Sequence, residues 1–135
     1  MKLRYVGLVC AGLAVCAGLW LLRPGDAPET VPAGTDAERL LYLFAQGHKG
    51  RETAAQEIVI PDADDPVFAD YAAMQAEQGL PVTEYAGQPA VRYVYALEQS
   101  ELCAELLVSD GVLVGAMCCD PSERTMRRIS GKPYP

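Results

Sequence analysis

The order of periodic segments predicts an α+β fold, a two-layer sandwich of two helices packed on an antiparallel sheet. It would end in a C-terminal β-meander (order α-β-α-β-β-β) and follow an N-terminal transmembrane helix. Three observations carry this. Apolar residues recur at helical spacing over residues 36–44 and 66–78, the period changes to two from Val91 onward, and residues 5–22 form a run without a charge.

The uncharged run comes first. As a helix its 18 residues would be about 27 Å long at ~1.5 Å per residue, close to the ~30 Å hydrocarbon core of a bilayer. Lys2 and Arg4 with the amino terminus outweigh Arg23, which has Asp26 and Glu29 as neighbours, so the positive-inside rule keeps the amino terminus cytoplasmic. Cys10 and Cys16 each follow Val, which suits lipoprotein processing poorly, and Gly25-Asp26-Ala27 is followed by Pro28, which suits signal peptidase poorly. The expectation is therefore residues 1–23 as an uncleaved anchor at the cell membrane, single-pass, with the C-terminal domain extracytoplasmic. The alternative is a protein secreted after signal cleavage.

Residues 24–34 are rich in Pro, Gly and acidic groups without apolar periodicity, which predicts a stalk. Residues 35–130 would then be one small α+β domain, with 131–135 as a tail. Thr35-Asp36-Ala37-Glu38 reads as a capping box. Ala37, Leu40, Leu41 and Phe44 follow it as an apolar stripe, and Gly47 as a stop. After a polar link through His48, Gly50 and Thr53, the β-branched run Gln56–Ile60 predicts a strand ended by Pro61. Asp65-Pro66 predicts the start of a second helix over residues 66–78, with Val67, Phe68, Tyr71, Met74 and Gln78 along one face and Gly79 at its end.

Beyond the loop 81–89, Val91, Tyr93, Tyr95 and Leu97 alternate with more polar neighbours, and Leu102, Ala104, Leu106 and Val108 repeat the pattern. Asp110-Gly111 is a type I′ hairpin signal, and Leu113 to Cys119 returns as the partner strand.

Charge excludes one function class. The chain carries 11 basic and 18 acidic residues, net −7, and from Thr35 onward 8 basic against 16 acidic, net −8. Such a surface repels phosphate backbones, so nucleic acid is not an expected partner. Arg124, Arg127, Arg128 and Lys132 reverse the sign locally and read as a solvated face.

Tyr71-x-x-x-Gln75-x-x-Gln78-Gly79, Tyr85-x-Gly87, Arg92-Tyr93-x-Tyr95 and Leu106-Leu107-Val108-x-x-Gly111-x-x-x-Gly115 resemble an uncharacterised bacterial family, domain of unknown function 4830. The resemblance spans roughly residues 36–130. It implies a small membrane-attached or secreted protein of Gram-positive anaerobes and no agreed activity. The chain departs from the family pattern at Gly47-His48, at Val114-Gly115-Ala116 and at Met126-Arg127, which puts any polar function of those positions in doubt.

Candidate chemistry rests on cysteine. If Asp110-Gly111 closes a two-residue turn, Cys103 faces Cys118, within the range a disulfide tolerates, and Cys119 is left over. The alternative keeps all three thiols reduced. Vicinal Cys118 and Cys119 point to opposite sheet faces and lack a CxxC or His/Cys partner cluster, so no metal site and no cofactor is expected. His48, the single histidine, has no neighbour in sequence that would make a nucleophile–base pair. Asp62, Asp64 and Asp65 lack the Gly and closing Glu of a calcium loop. Tyr85, Tyr93 and Tyr95 are candidates for a groove or for core.

With no catalytic constellation, the expected function is a non-catalytic, membrane-anchored extracytoplasmic module that binds a protein, peptide or envelope component. The alternative is a thiol-dependent redox or metal-handling protein using Cys103, Cys118 and Cys119.

Overall fold

The computed structural model describes residues 29–135. Residues 1–28, and with them the anchor expected over 5–22, lie outside the described residues. Among the described residues no helix is long and apolar enough to cross a membrane.

Helix α1 spans Asp36–Ala45 and starts as its capping box requires. The Glu38 N–H donates to Thr35 Oγ1 at 3.2 Å, and the Thr35 N–H donates to Glu38 Oε2 at 3.0 Å. These bonds satisfy two of the amides that the first turn leaves without a partner. Strand β1 spans Gly50–Val59, so the expected polar link is its first half. Helix α2 spans Ala69–Glu77, later than the expected start. The Asp65 side chain instead accepts the Val67 N–H at 2.9 Å, and residues 65–68 form a turn that leaves Val67 93% exposed. A 3-10 turn, Val82–Tyr85, follows. Strands β2 (Pro89–Leu97), β3 (Cys103–Ser109), β4 (Val112–Asp120) and β5 (Thr125–Arg127) complete the chain. The sheet is antiparallel throughout with strand order β1-β2-β3-β4-β5, so the α+β class holds and β5 is an additional strand.

The helices do not share one sheet face. Leu43 of α1 packs with Tyr95, Leu97, Ala104, Leu106, Ala116 and Cys118. Ala72 of α2, flanked by Phe68 and Tyr71, packs with Leu107, Val114, Ala90 and Ile60 on the other side. Gly115 explains how α2 comes so close: a Cβ there would overlap the Tyr71 hydroxyl and lie 3.0 Å from its Cζ.

The rotation of α1 also differs from the expected stripe. Leu41 and Phe44 are 70% and 63% exposed, while Arg39, 5% exposed, turns inward. Its guanidinium donates to the Tyr95 hydroxyl (2.9 Å), the Ala33 carbonyl (3.0 Å) and Glu52 (3.1 Å), and it lies 3.6 Å from the centroid of the Tyr93 ring. The Tyr95 hydroxyl in turn donates to Asp36 at 2.6 Å. A buried cation is tolerated only when its donors are matched in this way.

Residues 31–33, expected to belong to the stalk, are part of the folded unit Val31–Pro135. The Ala33 N–H donates to the Gly111 carbonyl and the Leu113 N–H to the Val31 carbonyl, each at 2.9 Å. The tail also folds back, with the Arg128 N–H donating to the Lys132 carbonyl at 3.0 Å.

Candidate functional site

The two edges of the sheet are treated in opposite ways. Along β4, the hairpin end is covered by residues 31–33 and the far end by β5, which pairs with Cys118, Cys119 and Asp120. Between them the Ala116 N–H donates to Gln75 Oε1 at 2.8 Å and the Ala116 carbonyl accepts from Gln78 Nε2 at 2.9 Å. Gln75 of α2 and Gln78 at its C-terminal cap thus stand in for a neighbouring strand, and Gln78 Oε1 also accepts the Ile129 N–H at 2.8 Å. Tyr71, Gln75, Gln78 and Gly115, the residues that stand out as motif positions, meet at this joint and serve the fold.

Among the described residues the other edge is open. β1 bonds to β2 on one side, and its residues are exposed along almost its whole length. Which backbone groups face outward follows from the ladder. Ala116, Leu106, Tyr93 and Ala55 form one row across the sheet. Ala116 gives its backbone groups to α2, so the row is unbonded between β4 and β3, bonded between β3 and β2, and unbonded again between β2 and β1. Ala55, and with it Glu57 and Val59, therefore turn N–H and C=O away from the sheet. The Ile60 N–H, donating inward to the Gln88 carbonyl at 3.0 Å, fits the same alternation.

The two halves of β1 differ. A β-bulge at Thr53 breaks the pairing between Glu52 and Ala54, and Arg51 and Glu52 add charge, both devices that discourage edge pairing. Residues 54–59 are unbroken. This half lies between two grooves: one of about 520 Å³ lined by Glu57, Val59, Val91 and Val108, and an apolar one of about 470 Å³ lined by Ile58, Val67, Phe68, Tyr71 and Leu107.

The thiols fall differently from the sequence expectation. Asp110 and Gly111 have φ of 51° and 74°, the left-handed pair a type I′ turn needs. A β-bulge at Val114 then shifts the register, so that Cys103 faces Cys119 and Cys118 faces Ala104. All three thiols are free. The expected Cys103–Cys118 pair is thereby corrected, because the two side chains lie on opposite faces.

Cys118 is fully buried and, among the described residues, is the one thiol near histidine, with Sγ 3.8 Å from His48 Nε2. The contact is not a nucleophile–base pair. His48 Nε2 lies 2.6 Å from the Ile129 carbonyl, which can only accept, so that nitrogen carries a proton. Cys118 Sγ also donates to this carbonyl at 3.4 Å, and burial pushes its thiol up to about 11. An inert protonated thiol results. Sequence spacing could not reveal this contact across the fold.

The three tyrosines do not converge on a groove. Tyr95 is fully buried, and burial followed by its bond to Asp36 pushes it up to about 12. Tyr93 lies against Arg39, and Tyr85 packs with the α2 cluster on the other face. Asp62 and Asp64 are exposed in a turn. Among the described residues no group of three or more His, Cys, Asp or Glu is placed to hold a metal ion.

No family model, curated protein or solved structure matches this chain.

Proposed function

We propose that the domain is a non-catalytic binding module that accepts an extended polypeptide segment as an additional strand along residues 54–59 of β1. In this reading residues 5–22 tether the chain to the cell membrane and present the domain on the extracytoplasmic side, as in the small membrane-attached proteins of the family it resembles. The observation that carries the proposal is the asymmetry of the sheet edges: β4 is covered along its length by three segments, whereas among the described residues β1 leaves the backbone groups of Ala55, Glu57 and Val59 unpaired. An added strand would gain main-chain hydrogen bonds, and its alternate side chains would point toward the two flanking grooves, which is how strand addition combines affinity with selectivity. The groove walls favour apolar residues at alternate positions, and the net charge of −8 from Thr35 onward favours a cationic segment.

A photo-crosslinking amino acid at position 57 of the full chain in cells tests this. The expected result is one dominant protein adduct from position 57 that is absent from the exposed position 123 on the β4–β5 connection. Equal adducts from both positions, or none from position 57, would refute strand addition.

A further inference from the structure

The shifted hairpin register has a chemical result on the sheet face that α1 does not cover. Ala96, Cys103, Cys119 and Met126 form one row across β2, β3, β4 and β5, so three sulfur side chains on successive strands point to the same face. Met117 shares that face in the next row, opposite Glu105. Cys103, Met117, Cys119 and Met126 are all half-buried, sheltered yet reachable. Without the bulge at Val114, Cys103 would have faced Cys118 and this grouping would not exist.

We propose that Cys103, Cys119 and Met126 form a site for a soft monovalent cation, with Cu(I) as the candidate ion. Neighbouring strands lie ~4.8 Å apart, and two sulfurs on one metal at ~2.3 Å are separated by at most ~4.6 Å, so side-chain rotation alone brings cross-strand sulfurs onto one ion. Two thiolates and a thioether are a soft donor set, which selects Cu(I) over hard divalent ions. Histidine takes no part, since His48 contacts Cys118, on the opposite face.

The chemistry balances without electron transfer: each thiol loses its proton to water, three metal–sulfur bonds form, two from thiolates and one from the Met126 thioether, the ion sheds the ligands it arrived with, and it stays monovalent. The inference is independent of strand addition at β1, which lies at the other end of the sheet order.

The test uses the full chain in detergent, with Cys10 and Cys16 replaced by Ala so that only the domain thiols count. Cu(I) is titrated anaerobically under reducing conditions against a chromophoric Cu(I) chelator. One equivalent should bind per chain. Cys103→Ser and Cys119→Ser should each weaken binding more than about 100-fold, and Met126→Leu about 10-fold, the lower end of what even supporting groups contribute at metal sites. Cys118→Ala should leave affinity unchanged. Should that variant fail to fold, alkylation mapping of the parent chain answers instead, because Cu(I) must shield Cys103 and Cys119 from iodoacetamide. Undiminished binding by the Cys103→Ser/Cys119→Ser double variant, or unshielded alkylation at both thiols, would overturn the site. Ag(I) added to methyl-labelled methionine should move the Met126 resonance and leave Met74 in place, and an unmoved Met126 would remove it from the donor set.

Discussion

Two neighbouring proline substitutions on β1 should have opposite consequences, because backbone bonds alternate along the strand. Gln56 faces Arg92 across the bonded positions of the β1–β2 ladder, whereas Glu57 points its N–H outward. Gln56→Pro removes a ladder hydrogen bond and also the Gln56 side-chain oxygen that accepts from Arg92 Nη2 at 3.0 Å. At about 1 kcal/mol for each bond, with roughly another 1 kcal/mol for forcing φ to the proline value, the loss should be about 3 kcal/mol. Glu57→Pro removes no ladder bond and should cost less than about 1 kcal/mol, as proline on an outward edge position usually does. Urea unfolding separates the two. With m in the ordinary range of ~1–3 kcal/mol/M, Gln56→Pro should lower the midpoint by about 1–3 M while Glu57→Pro lowers it by less than about a third as much. With the photo-crosslinking amino acid moved to the exposed position 55, Glu57→Pro should nevertheless abolish the strand-addition adduct. Equal destabilisation, or a larger loss for Glu57→Pro, would show that the outward set had been assigned to the wrong residues.

Arg39→Ala should destabilise the domain by about 3–5 kcal/mol in the same assay, since it leaves the Tyr95 hydroxyl and Ala33 carbonyl without their donor. Arg39→Lys should not restore the loss, because a point charge cannot replace a fork serving three acceptors. Gly115→Ala should cost about 1–3 kcal/mol through overlap with Tyr71, and adding Tyr71→Phe should recover only part, because Cζ still lies 3.0 Å from the new methyl. Cys118 makes stability fall at alkaline pH. Its folded value is raised from 9.0 to about 11, so the contribution is complete below pH 9 and is lost as pH rises through about 11. At ~1.4 kcal/mol per pH unit the loss approaches about 3 kcal/mol, and a pH series of urea midpoints should be flatter for Cys118→Ala.

Local rules read the elements well where one interaction decides the outcome. Thr35 and Glu38 made the α1 start legible, and Asp110-Gly111 did the same for the hairpin, because both depend on residues within a few positions of each other. The rotation of α1 was not legible. Apolar periodicity favoured Leu41 and Phe44, but matching the Arg39 guanidinium to three distant acceptors turned the helix, and nothing at position 39 announces those partners. The cysteine pairing failed for a smaller reason: a bulge adds one residue to one strand, and with a period of two that moves a partner to the opposite face. Which sheet edge stays open was not legible. That depended on Gln75 and Gln78 reaching β4, a contact between segments some 40 residues apart.

The bonds between residues 31–33 and the hairpin determine where mechanical load enters this domain. Any tension travelling down the chain from its amino-terminal side arrives at Val31, and resistance begins with two main-chain bonds to Gly111 and Leu113. The Arg39 grip on the Ala33 carbonyl comes next. A pull would therefore peel this short segment off β4 before loading the ladders beyond it, giving the folded unit a mechanical fuse on its amino-terminal side.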